Sequence, residues 1–137
     1  MTTLPEAALT PVNILYVEDN TDVRDLVLEL IEREGRRVVA CADAEAAWAC
    51  LQREVFDVLV TDVNLPGWSG IELARRWLEG EAARWVILLS GYDFPLSLAS
   101  LGRNVRAVPK EDFEQLDRVL AELGEQLPRQ QHAAIID

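Results

Sequence analysis

Apolar and polar positions along the chain change their period several times. The run "VNILYV" (12–17) is almost continuously apolar and predicts a strand. In "NTDVRDLVLELIEREG", Val23, Leu26, Val27, Leu30 and Ile31 recur at helical spacing, which predicts a helix face with Gly35 as C-cap. "RRVVAC" predicts a second strand, and "DAEAAWACLQRE" a second helix with Ala44, Ala47, Trp48 and Leu51 on one face. "FDVLVT" is a third strand. "WSGIELARRWLEG" is a third helix, with Ser69 as N-cap and Gly80 near its stop. "RWVILLS" and the short "VRAV" are the fourth and fifth strands. The closing helix lies in "EDFEQLDRVLAELGEQL", with Phe113, Leu116, Leu120, Leu123 and Leu127 as a core stripe. Between the last two strands, "GYDFPLSLASLGRN" (91–104) holds a proline and two glycines, and a short or irregular fourth helix is expected there.

Strand and helix therefore alternate about five times. The third and fourth strands are apolar throughout, as strands covered on both faces must be. This predicts an α/β, doubly wound (βα)5, flavodoxin-like fold with a five-stranded parallel sheet. The expected division is an N-terminal extension (1–11), one domain (12–127) and a C-terminal tail (128–137).

Composition narrows the function classes. A net charge of -11 repels phosphate backbones, so nucleic acid is not an expected partner. No apolar run is long enough to span a bilayer and no secretion signal is evident, so no membrane partner and a cytoplasmic location are expected. Cys41 and Cys50 match no metal-ligand spacing and are expected to be reduced, buried, small hydrophobes. The only histidine, His132, excludes chemistry that needs two. Trp48, Trp77 and Trp85 are expected in packing, and Trp68 as an exposed loop aromatic.

Candidate chemistry lies at the strand ends. In an open parallel sheet, ligands bind beyond the carboxyl ends of the strands, where strand order reverses. Glu18 and Asp19 follow the first strand, Asp62 ends the third, Ser90 ends the fourth, and Lys110 follows the fifth. The second strand ends in Cys41 and Ala42, which fits an edge position and the order 2-1-3-4-5. Clustered carboxylates repel one another, and a divalent cation relieves that repulsion. An oxygen-only donor set favours Mg²⁺. Asp62 is then the natural nucleophile towards a phosphoryl donor, with Ser90 and Lys110 holding phosphoryl oxygens. Taken singly, each residue has an ordinary reading as a turn former, a helix cap or a solvated surface group. Their joint placement at four of the five strand ends supports the chemical reading.

The segments "ILYVEDN", "DVLVTDVNLPGWSG", "VILLSGY" and "VPKEDF", in that order and spacing, resemble the response-regulator receiver domains of bacterial two-component systems. The resemblance runs from residue 12 to about 127. It implies Mg²⁺ held directly by Asp19 and Asp62, through water by Glu18, and by the backbone carbonyl of Asn64. It implies phosphoryl transfer to Asp62 from a phosphohistidine on a histidine kinase or histidine phosphotransfer protein. Ser90 would move to capture the phosphoryl group, Lys110 would pair with it, and the Asn64 side chain would influence slow self-dephosphorylation. Such a chain catalyses its own phosphorylation and dephosphorylation rather than turning over a separate substrate. The output would be altered protein–protein contacts with a partner the sequence does not name. Homodimer formation is left open, as is origin as a stand-alone receiver or as part of a hybrid histidine kinase.

Two further readings compete with this one. A pseudo-receiver would keep the fold as a phosphorylation-independent protein-binding module. A haloacid-dehalogenase-type phosphatase would want an acid two residues after Asp62, where Asn64 stands. The chain also departs from the family pattern. Ala107 occupies the usual position of an aromatic switch residue, three before the lysine. Pro109 precedes Lys110 and Glu111 follows it, where a proline usually follows. Ser90 and Lys110 are 20 positions apart, a shortened interval that falls in the irregular segment.

Overall fold

The computed structural model describes residues 11–91 and 101–127. Five strands are present: β1 (Val12–Val17), β2 (Arg36–Cys41), β3 (Val58–Asp62), β4 (Trp85–Ser90) and β5 (Val105–Pro109). Four helices are described: α1 (Thr21–Ile31), α2 (Ala44–Arg53), α3 (Gly70–Gly80) and α4 (Phe113–Gln126). The expected irregular helix within 91–104 falls mostly on residues 92–100, outside the described residues. All pairings are parallel, in the order β2-β1-β3-β4-β5. The doubly wound order read from the strand ends is thus the one formed.

Strand alternation sends successive side chains to opposite faces. Ile14, Tyr16, Val58, Val60, Ile87 and Leu89 pack with Val27 and Ile31 of α1 and with Leu116, Leu120 and Leu123 of α4. Leu15, Val17, Leu59, Val86 and Leu88 pack with α2 and α3 through Ala47, Leu51, Leu73 and Trp77. Both faces of β1, β3 and β4 are therefore covered, which is why those strands carry almost no polar residue before their last positions. Fully burying one such side chain stabilises the fold by about 1.5–3 kcal/mol.

Helix starts follow from local polar chemistry. Asn20, Asp43, Ser69 and Asp112 each accept a backbone N–H three residues on, capping α1 to α4 in turn. Four sequence expectations need correction. Gly35 does not cap α1, which ends at Glu32; it turns the chain into β2 with φ of 88°, a conformation open chiefly to glycine. Leu26 and Leu30 are 47% and 41% exposed, because only the Val27–Ile31 side of α1 lies over the sheet. Trp68 is half-buried rather than exposed: its ring centroid lies 6.2 Å from that of Trp48, and the Arg76 guanidinium sits 4.0 Å over it. Cys41 is buried but Cys50 only partly so. Burial, with Cys50 beside it, pushes the Cys41 thiol up to about 12. Of the remaining tryptophans, Trp77 is buried, while Trp48 and Trp85 are half-buried in packing.

Candidate functional site

Three acids meet where β1 and β3 end. One carboxylate oxygen from each of Glu18, Asp19 and Asp62 lies within 4.8 Å of the others. Glu18 is fully buried, Asp62 is 2% exposed, and Asp19 is exposed. The sheet places them: Val17 pairs with Thr61 in register, so the residues that follow emerge side by side at the same edge.

Each acid is held by its own neighbourhood. Glu18 Oε2 accepts the Asn20 backbone N–H at 3.0 Å, Arg24 Nη1 donates to the Glu18 carbonyl at 2.9 Å, and the Glu18 N–H donates to the Cys41 carbonyl at 3.0 Å. Asp62 Oδ1 accepts the Asn64 N–H at 3.2 Å, and Thr61 Oγ1 donates to the Asp62 carbonyl at 2.9 Å. Behind Asp62, the start of α3 approaches so closely that a Cβ on Gly70 would collide with the Asp62 carbonyl oxygen. The Gly70 N–H donates to the Val63 carbonyl at 2.8 Å. Glycine is required there by space alone.

Lys110 enters from β5. Its backbone N–H donates to the Ser90 carbonyl at 2.8 Å, so the end of β4 fixes where the lysine leaves the sheet. Its Nζ donates to Asp62 Oδ2 at 2.7 Å and lies 3.5 Å from Glu18 Oε1. Partial burial works against the ammonium, but the hydrogen bond and charge of Asp62, with Glu18 adding, outweigh it and raise the Lys110 pKa. Ser90 is buried at the last position of β4, next to Leu89, the register partner of Asp62. Asn64 is exposed in the loop after Asp62. Ala107 is half-buried in β5, paired with Leu88.

The charge balance is unequal. Three carboxylates face one ammonium. Burial, and then the charge of Asp62, hold the Glu18 carboxyl above its usual range, against the backbone hydrogen bond from Asn20 and the charge of Lys110. Glu18 Oε1 has no hydrogen-bond partner among the described residues, and neither has the buried Tyr16 hydroxyl. Burial, with Glu18 and Asp62 nearby, raises the Tyr16 pKa, so that phenol stays protonated. An orphaned buried carboxylate oxygen beside two further acids, with no thiolate or imidazole, is a donor set that fits a hard divalent cation such as Mg²⁺.

The structure thus brings together Glu18, Asp19, Asp62 and Lys110, with Ser90 and Asn64 at the same edge of the sheet. Sequence reasoning missed Asn20, Arg24 and Thr61, which hold the acids in place. Asn20 carried a signal: an amide three residues before the first apolar helical position.

Known proteins share this arrangement of chain. A family model described as response regulator receiver domain matches residues 14–101. The virulence sensor protein BvgS of Bordetella pertussis is 39% identical over 79 residues, 58% of this chain and 6% of that protein. The sensor histidine kinase AruS of Pseudomonas aeruginosa is 38% identical over 81 residues, 57% of this chain and 8% of that protein. The chain therefore spans less than a tenth of the length of these two relatives. Among solved structures, the response regulator TrrA from Thermotoga maritima, in complex with Mg²⁺-BeF, superposes with a TM-score of 0.72. The identity there is 25%, over 82% of this chain and 98% of that one. With the doubly wound sheet and the family match over most of its length, the chain belongs to the response regulator receiver domains of two-component systems.

Proposed function

We propose that this receiver accepts a phosphoryl group on the Asp62 carboxylate from a phosphohistidine of a histidine kinase or phosphotransfer protein. The observation that carries the reading is the 2.7 Å contact of Lys110 Nζ with Asp62 Oδ2, inside a cluster of three acids. An isolated aspartate would not be positioned and paired with a lysine in this way.

Glu18, Asp19 and Asp62, with the Asn64 carbonyl, are the groups that would hold Mg²⁺. When bound, the ion offsets carboxylate repulsion and draws phosphoryl oxygens into the site. In the transfer, an Asp62 carboxylate oxygen forms a bond to phosphorus while the P–N bond to the donor imidazole breaks. The imidazole nitrogen keeps the electron pair and takes up a proton. Lys110 exchanges its contact with Asp62 for the phosphoryl oxygens, where its charge stabilises the transition state. Ser90 supplies a hydroxyl to the same oxygens. Loss of the group reverses the balance: water attacks phosphorus, the P–O bond to Asp62 breaks, and inorganic phosphate leaves. Asn64, exposed beside the acceptor, is placed to influence that step.

The output is a change in protein–protein contacts. With a methyl at Ala107 in place of a ring, coupling to the outer surface around β5 differs from the usual aromatic switch. The similarity to a part of the sensor histidine kinase AruS favours a histidine kinase as donor.

The test is phosphorylation by acetyl phosphate or a phosphohistidine donor, read by intact mass. Wild type gains one phosphoryl group in the presence of Mg²⁺ and none when the metal is chelated. Asp62→Asn gains none. Equal labelling of wild type and Asp62→Asn would refute the assignment.

A further inference from the structure

The chain contains two cysteines, at the end of β2 and in α2, and their Sγ atoms lie 3.6 Å apart. We infer that Cys41 and Cys50 form a peroxide-responsive pair that closes into an intramolecular disulfide. A separation of 3.6 Å is near van der Waals contact, so side-chain rotation and a small helix shift replace any large refolding. The two sulfurs are not equivalent. Cys41 is buried in the core cluster that also holds Val17, Ala44 and Ala47. Cys50 is partly exposed, and Arg53 Nη2 donates to its sulfur at 3.6 Å. The less buried of the two cysteines is therefore also the one with a cation beside its sulfur, the setting in which thiols react with oxidants.

The steps balance with a hydroperoxide as oxidant. Cys50 sulfur attacks one peroxide oxygen; an S–O bond forms, the O–O bond breaks, and the departing oxygen takes the thiol proton, leaving as water or an alcohol. Cys41 sulfur then attacks the Cys50 sulfenic acid. The S–S bond forms, the S–O bond breaks, and water leaves with the Cys41 proton. Two thiols lose two electrons in all, and the peroxide accepts them.

Closure would tie α2 to the end of β2. That strand end also supplies the carbonyl that accepts the Glu18 N–H at 3.0 Å, so oxidation acts one hydrogen bond from the acid cluster. The pairing itself does not depend on phosphorylation of Asp62.

The experiment treats the full chain with one equivalent of hydrogen peroxide, then alkylates it under denaturing conditions and measures intact mass. The expected product is a monomer lacking two hydrogens, with neither thiol alkylated, and restored to two alkylated thiols by dithiothreitol. In Cys41→Ser, a sulfenic acid trapped by dimedone is expected at Cys50, and Cys50→Ser gives no trapped adduct. Two alkylatable thiols in treated wild type would overturn the proposal. So would disulfides formed only between chains, or a dimedone adduct on Cys41 in Cys50→Ser.

Discussion

Where the strands begin, Asp57 Oδ2 accepts the Asn13 N–H at 2.8 Å, and Asp117 faces Arg33 at 2.7 Å and Arg36 at 2.9 Å. Where they end, Glu18, Asp19 and Asp62 face a single ammonium. The same functional group serves both ends. At the first, each carboxylate has a donor or cation of its own, and the result is a clamp joining β1 to the start of β3 and α4 to the chain around β2. At the second, negative charge is in surplus, two of the acids are buried, and one buried oxygen has no hydrogen bond. A matched carboxylate holds structure. A surplus one is available for binding and chemistry, at some cost in stability.

Substitutions should separate the two ends. The largest effect is expected for Lys110→Ala, which removes the ammonium bonded to the Asp62 carboxylate. Phosphorylation of Asp62 should slow by about 100-fold, the usual scale for loss of a preorganised electrostatic contact. Stopped-flow or mass-resolved time courses read the rate; an unchanged rate would mean that the lysine is structural.

At the opposite end, Asp117→Ala should cost about 1–2 kcal/mol, because it leaves Arg36, with its side chain 9% exposed, short of a partner. Urea denaturation measures this, and the initial labelling rate of Asp62 should stay within about twofold, since Asp117 pairs with Arg33 and Arg36 at the other end of the sheet.

Glu18→Gln is expected to act through pH. The Glu18 carboxyl is held above its ordinary range, so the folded state binds that proton more tightly than the unfolded chain. Its contribution to stability is complete below the unfolded value and is lost as pH rises through the folded one. In metal-free buffer, the stability of Glu18→Gln relative to wild type should therefore increase with pH across that window and then level off. Urea midpoints at a series of pH values test this; a flat difference would show that the burial of Glu18 carries no protonation penalty.

The smallest effect is expected for Arg37→Ala. Its pair with Glu54 at 2.9 Å is exposed on both sides, at 49% and 39%, so the loss should be under about 0.5 kcal/mol.

Much of this was legible in the sequence because it rests on period and position. Apolar period marked the strands and the core stripe of the closing helix, and strand ends marked which polar groups stand at one edge. What escaped depends on geometry that no spacing encodes. Leu26 and Leu30 lie about 100° around α1 from Val27 and Ile31, and whether that flank is covered depends on how far the neighbouring elements reach. Trp68 looked like a loose loop residue because its partners, Trp48 and Arg76, come from two different helices. The Cys41–Cys50 contact joins a strand end to a helix interior, a distance set by helix docking. Residues 92–100, which hold most of the expected fourth helix, lie outside the described residues.

Gly70 carries a mechanical consequence. With no side chain between them, the first turn of α3 rests directly on the peptide plane of Asp62. Backbone against backbone has little give, so a push on α3 from a docked protein reaches Asp62 without being absorbed by rotamers. The traffic runs both ways: a group attached to Asp62 that displaces its peptide must lift the helix with it. A single hydrogen atom in place of a methyl makes this corner of the molecule a hard stop rather than a cushion.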